Sequence, residues 1–178
     1  MLVVIGGLPG VGKTTLAREL AGRLPATHLR VDAFEVALAR QGLVPADDVG
    51  AHGYELALAA ADSCLTAGTD VVVDAVFPVA GSRRPFRDLA ARHGTPVHWL
   101  RLICRDPLEH QRRVEERTPD LPGHVVPDWA AVRRRDVDQW HERHTVVDTA
   151  GGDALARAWA VVAADPGSQR FATDGAHE

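Results

Sequence analysis

The stretch GGLPGVGKTT, residues 6–15, directly follows the apolar run LVVIG at 2–6 and precedes TTLARELAGRL, which has a helical pattern. Gly7, Gly12, Lys13 and Thr14 fit the phosphate-loop pattern G-x-x-x-x-G-K-[ST], and the strand before and helix after are the setting that pattern requires. Glycines let the backbone approach phosphate oxygens, and the helix N-terminus favours negative charge. The loop residues Gly7, Leu8, Pro9, Gly10, Val11, Gly12, Lys13, Thr14 and Thr15 are therefore expected to hold a nucleotide, with Lys13 reaching the β- and γ-phosphates and the Thr14 hydroxyl on Mg²⁺. Lys13 is the only lysine in a chain whose other cationic side chains are arginine. A compact ammonium suits a tight loop better than a planar guanidinium.

Four further apolar runs have strand-like length and β-branched content: HLRVD (28–32), DVVVDAVF (70–77), VHWLRLIC (97–104) and HTVVDT (144–149). Helix-like segments separate them, which predicts an α/β fold with a parallel sheet covered on both faces. Pro25 is expected to close the first helix, Gly68 and Gly94 to end later ones, and Ser82 to cap the helix containing RRPFRDLAARHG. Asp106, Pro107 and Glu109 form a capping-box start for a helix reaching about Arg117. The 178 residues predict one domain over 1–165, with a lid at about 111–128 and a flexible tail at 166–178.

The net charge of −4 and short basic clusters disfavour long nucleic acid, while leaving small anions as ligands. Cys64 and Cys104 lack metal spacing and read as reduced, buried thiols of a cytoplasmic protein. The first residues lack the pattern of a signal peptide, and no apolar run is long enough to span a bilayer. The nine histidines show no metal-ligand spacing, and the four tryptophans read as packing residues.

Three groups of residues bear on whether a bound nucleotide would be used for transfer. Asp32 closes the second strand run, and strand C-terminal ends face the ligand crevice in an open parallel sheet. It is placed to accept the proton of a substrate hydroxyl, or else to cap the following helix. Asp74 ends VVVD and is placed to support Mg²⁺ through its water shell, or to serve as a turn residue. In QRRVEERTPDLPGHVVPDW (111–129), Arg113 and Arg117 lie four residues apart, as in a lid that neutralises a transferring phosphoryl group; a solvated charged helix is the other reading. His124 is the one histidine of note there, while Arg133–Arg135 and Arg143, alternating with acids, read as a solvated helix face.

Together these stretches resemble the small phosphate-loop kinases of the chloramphenicol phosphotransferase type, within the AAA-type ATP-binding proteins and near the shikimate, gluconate and adenylylsulfate kinases. GGLPGVGKTT, RVDAFEVAL, VVVDAVFPVAGSRRPFRDLA, LRLICRDPLEHQRRVEER and VVDT occur in that family's order over nearly the whole chain. The resemblance implies a three-layer fold with a five-stranded parallel sheet in order 2-3-1-4-5, a helical lid, and ATP with Mg²⁺. By it, Asp32 would be the base, Asp74 would support the metal or the acceptor, and RVEER would be the R-x-x-x-R lid. Arg113 would then lie near adenine, Arg117 at the phosphates, and the loop from Thr149 to Asp153 beside the base.

The expected activity is phosphorylation of a hydroxyl on a small metabolite or antibiotic-like compound. A nucleotide or polynucleotide 5′-hydroxyl kinase and a non-catalytic nucleotide switch are the alternatives. No N-K-x-D-like guanine-recognition stretch is present. Residues 34–62, with Phe34, Val36, Leu38, Tyr54 and Leu58, do not repeat a chloramphenicol-site pattern and read as a partly apolar acceptor pocket or as helix core positions. The sequence leaves the oligomeric state open.

Overall fold

The computed structural model of the chain describes residues 1–45 and 49–164. The tail expected at 166–178 lies outside the described residues. Strands β1 (Leu2–Gly6), β2 (Thr27–Arg30), β3 (Val71–Asp74), β4 (Val97–Ile103) and β5 (Thr145–Asp148) form one parallel sheet in the order β2-β3-β1-β4-β5. The seven helices among the described residues are α1 (Lys13–Arg23), α2 (Val31–Arg40), α3 (Gly50–Thr66), α4 (Ala80–Arg92), α5 (Pro107–Glu115), α6 (Trp129–Arg134) and α7 (Ala154–Ala163).

Strand β1 is central and wholly buried, so its two-residue period feeds two cores. Val3 and Ile5 join Leu16, Leu20, Leu100 and Val162 on the face covered by α1 and α7. Leu2 and Val4 join Val71, Val73, Ala57 and Leu89 on the face covered by α3 and α4. Complete burial of such side chains stabilises by about 1.5–3 kcal/mol each. This sandwich fixes the C-terminal ends of β1 and β3, where the phosphate loop and Asp74 emerge.

Helix boundaries follow the expected punctuation with three differences. Gly68 and Gly94 adopt φ of 78° and 56° just beyond α3 and α4, the left-handed stop that glycine accommodates. Asp106 accepts from the Leu108 and Glu109 amides at 3.0 and 3.1 Å, with Pro107 in the first turn. The Glu109 carboxylate does not complete a capping box, because Arg112 and Arg113 engage it instead. Ser82 is not a cap: α4 begins at Ala80, and the Ser82 hydroxyl donates to the Val79 carbonyl at 2.7 Å. Helix α5 stops at Glu115, short of Arg117, consistent with Pro119 disfavouring helix in the residue before it.

A second buried assembly supports the far side of the cleft. Arg83 is fully buried, donates to Glu142 at 3.0 Å, to the Phe77 carbonyl at 3.1 Å and to the Gln139 carbonyl at 3.3 Å, and lies over the Trp140 ring. Phe77 sits at φ 51°, a strained conformation for a bulky residue, held by the Tyr54 hydroxyl on its N–H and by edge contacts with Tyr54 and Phe86. Trp99 and Trp140 are buried packing residues, as expected. Cys64 and Cys104 are free, but half-buried rather than buried.

Candidate active site

One cleft of about 1310 Å³ runs from the phosphate loop, past the end of β3, to α2, α3 and the 117–127 segment. Its phosphate end is backbone. Gly12, at φ 88°, caps α1 and has open space where a side chain would project, so the helix N-terminus is left accessible. Gly10 answers a different demand: a Cβ there would stand 2.5 Å from Val114, because α5 packs directly on the loop. His110 of the same helix pairs through Nε2 with the Pro9 carbonyl at 2.8 Å.

Lys13 points back over this loop, donating to the Leu8 carbonyl at 3.0 Å. Burial lowers its ammonium to about 8, against the pull of Asp32 and Asp74 and with Arg117 and Arg135 adding to the depression. Burial outweighs the two carboxylates at this ammonium, which would therefore gain from an incoming phosphate.

Thr14 donates to Asp74 Oδ2 at 2.7 Å, while His28 Nε2 lies 2.6 Å from Asp74 Oδ1. Asp74 is 2% exposed, at the end of β3 as the sequence indicates. One hydroxyl and one carboxylate, both oxygen donors, suit a small hard cation such as Mg²⁺. Thr14 and Asp74 thus form a compatible pair.

Where β5 ends beside the loop, the Thr149 hydroxyl lies 2.9 Å from the Val11 carbonyl and 3.2 Å from that of Ile103. Arg113 grips Thr149 at both its hydroxyl (3.1 Å) and carbonyl (2.9 Å) and donates to Glu109 at 2.7 Å. Arg113, Arg117 and Thr149 all line the cleft. Arg113 therefore ties α5 to the β5–α7 loop, whereas Arg117 lies beyond the helix on the irregular segment.

Asp32 differs from the sequence reading in position. Strand β2 ends at Arg30, and Asp32 stands in the first turn of α2. It caps nothing: Arg30 occupies the N-cap position, and the helix start has no side-chain cap. The Asp32 carboxylate faces the cleft, accepting from Arg30 at 3.3 Å and lying 3.8 Å from His124 Nε2. Burial lowers the His124 imidazole below its usual range, opposed by Asp32, and its Nδ1 is buried without a hydrogen-bond partner among the described residues.

Several cleft residues escaped the sequence reading. Asp120 accepts from Arg30 at 2.8 and 2.9 Å and from Arg18 at 2.8 Å, which hold its carboxyl down at about 2, Arg30 contributing most. The 117–127 segment is thereby clasped to the start of α2. Arg133 and Arg134 are exposed on α6 as expected, but Arg135, at its C-cap, lines the cleft. Of the apolar residues named from sequence, Val36, Tyr54 and Leu58 line the cleft, while Phe34 packs against the core and Leu38 stands apart from it. Glu35 also lines it, and its three-residue spacing from Asp32 was the available signal.

A five-stranded parallel sheet in this order, with a phosphate loop after the central strand and helices on both faces, defines the small phosphate-loop kinase fold. The chain belongs to the AAA domain family, whose family model matches residues 2–145. Among curated proteins none matches it in sequence. A sugar kinase from Janibacter sp. HTCC2649 is 18% identical, with a TM-score of 0.69 over 94% of this chain and 96% of its own. A gluconokinase from Sinorhizobium meliloti 1021 is 20% identical, with a TM-score of 0.62 over 91% of each chain. Kti12 of Chaetomium thermophilum, solved with ADP-AlF3, is 18% identical, with a TM-score of 0.69 over 92% of this chain and 98% of its own. At these identities the likeness establishes a shared fold. Among the described residues no helix is long and apolar enough to cross a membrane.

Proposed function

We propose that the protein is an ATP- and Mg²⁺-dependent phosphotransferase acting on a hydroxyl of a small metabolite or antibiotic-like molecule. The observation that carries this reading is the opening of Lys13, Thr14 and the Asp32 carboxylate into one cleft, with Asp74 buried directly behind Thr14 and bonded to its hydroxyl. The kinases among its structural relatives are consistent with it.

In this reading the loop from Gly7 to Thr15 and the α1 N-terminus hold the phosphates, and Arg113 and Thr149 border the adenine. Thr14 and Asp74 would hold Mg²⁺, Asp74 through water, and the ion would supply neutralisation of phosphate charge. The acceptor oxygen attacks the γ-phosphorus, the bond to the ADP oxygen breaks, and the hydroxyl proton passes to Asp32. Lys13 and Arg117 offset charge gathering on the transferred group. The Asp120 clasp would hold the lid over the cleft and limit loss of the phosphoryl group to water. A cytoplasmic setting agrees with the two free cysteines.

A panel of metabolites and hydroxylated antibiotics, read by ADP release and product mass, tests the proposal. Acceptor-stimulated ADP release with a gain of one phosphoryl mass is expected. Nucleotide binding with no acceptor-dependent release would identify a binding module instead, and phosphorylation confined to nucleosides or 5′-hydroxyl ends would reassign the acceptor class.

A further inference from the structure

Across the cleft from the phosphate loop stands a carboxylate with no hydrogen bond or ion pair among the described residues. Glu35 lies one helical turn beyond Asp32 on α2, so their side chains are neighbours about 5–6 Å apart at Cβ. Asp32 is held by Arg30, whereas Glu35 makes no hydrogen bond or ion pair among the described residues. It is half-buried, and leaving such a group unpaired is unfavourable unless a ligand completes it.

The neighbouring helix makes room for it. Gly53 lies inside α3, where glycine weakens a helix, and a Cβ there would stand 2.4 Å from Glu35 Cγ. The space a side chain would take at Gly53 is occupied by the Glu35 stem. Polar groups that share this cleft include Tyr54, whose hydroxyl accepts the Phe77 N–H and keeps its own proton to donate, Arg135 at the end of α6, Ser82 and the exposed Glu55. Val36, Leu58, Val79 and Phe86 supply an apolar wall. Burial, reinforced by Asp32 and opposed by Arg135, raises the Glu35 carboxyl to about 7, so near neutrality it can accept or donate a hydrogen bond.

We infer that Glu35 selects the acceptor by binding a second hydrogen-bond donor, a hydroxyl or an ammonium, carried about one ring width from the hydroxyl that faces Asp32. The acceptors are then small ring polyols or amino alcohols with one apolar face. This rests on the phosphotransfer reading above, and binding and transfer separate the two.

The binding arm is calorimetry in the presence of Mg²⁺ and a non-hydrolysable ATP analogue, with matched sets of cyclic mono-alcohols, diols, amino alcohols and simple sugars. Two-donor compounds should bind at least about tenfold tighter than their mono-alcohol counterparts. Glu35→Ala should bring that ratio close to one, and Gly53→Ala, which crowds the Glu35 stem, should lower it part way. The near-isosteric Glu35→Gln keeps the test valid if the alanine variant fails to fold. Loss of preference for amino alcohols alone in Glu35→Gln identifies an ammonium, and an equal effect on diols identifies a hydroxyl. Equal affinities for mono-alcohols and two-donor compounds, a preference that survives both Glu35 variants, or no binding by any compound would overturn the inference. Discriminating binding without phosphorylated product would uphold Glu35 and remove the phosphotransfer reading.

Discussion

The two ends of the cleft are built differently. At the nucleotide end polar side chains already have protein partners: Thr14 and His28 on Asp74, Arg113 on Thr149 and Glu109, His110 on Pro9. At the acceptor end Glu35 has no hydrogen bond among the described residues, His124 leaves a buried nitrogen unpaired, and Arg135 stands exposed at the cleft. The first end is preorganised by the fold itself; in the proposed reading the second would be completed by a bound acceptor. A rigid phosphate cradle beside an unsatisfied pocket suits an enzyme with one fixed substrate and one selected by side-chain chemistry.

Removing the cation from the rigid end should have the largest effect. Lys13→Ala is expected to reduce nucleotide-dependent turnover by about 10²–10³-fold, the range for losing one preorganised donor to developing charge. ADP release and equilibrium ATP binding check this, and normal values for both would overturn the loop's role. Next comes the support under the acceptor end. Arg83→Ala leaves Glu142 without its partner and uncouples Phe77, which should destabilise the fold by about 3–5 kcal/mol in urea unfolding. A loss below 1 kcal/mol would show that this assembly is peripheral.

A smaller effect separates the ends by pH. In the empty site Lys13 carries its proton below about pH 8 and loses it above, while bound phosphates would keep it protonated. Nucleotide affinity should therefore hold up to about pH 8 and fall above it, by at most about tenfold per unit, with proton uptake on binding. Asp32, Asp74, Arg117 and Arg135 face the same ammonium, and Glu35 titrates lower, at about 7. Calorimetry in buffers of different ionisation enthalpy reads the uptake directly; none above pH 8 would contradict a Lys13 ammonium depressed by desolvation. The smallest change is expected from Thr149→Val, which keeps the backbone contact to Arg113 but removes the hydroxyl contacts with Val11 and Ile103. About a tenfold loss of nucleotide affinity is expected by equilibrium binding, and no change would assign Thr149 to packing alone.

Much of the rigid end was legible because its chemistry is local. The loop, its flanking strand and helix, Asp74 after VVV and the Asp106 cap are each encoded within a few residues, and the five strands read clearly from short β-branched runs. The sheet order came with the family resemblance, since strand pairing joins residues far apart in sequence. The acceptor end was less legible for the same reason. Arg135 reaches the cleft only because α6 ends there, and nothing distinguishes it in sequence from Arg133 and Arg134. Asp120 became meaningful when folding brought it to Arg30, ninety residues away. Asp32 was placed one element too early because HLRVD reads as strand, whereas Val31 is buried at the first position of α2 with no intervening loop. The match of residues 2–145 to the family model does not extend to what the acceptor pocket chooses.

The central claim is that the cleft transfers a phosphoryl group to a hydroxyl whose proton Asp32 receives. Its most direct test is Asp32→Asn, with ATP affinity and acceptor phosphorylation measured on the same preparation by binding titration and product mass. ATP affinity within about threefold of the parent, with transfer reduced by about 10²–10⁴-fold, is the predicted result. Phosphorylation at the parent rate in that variant would contradict it.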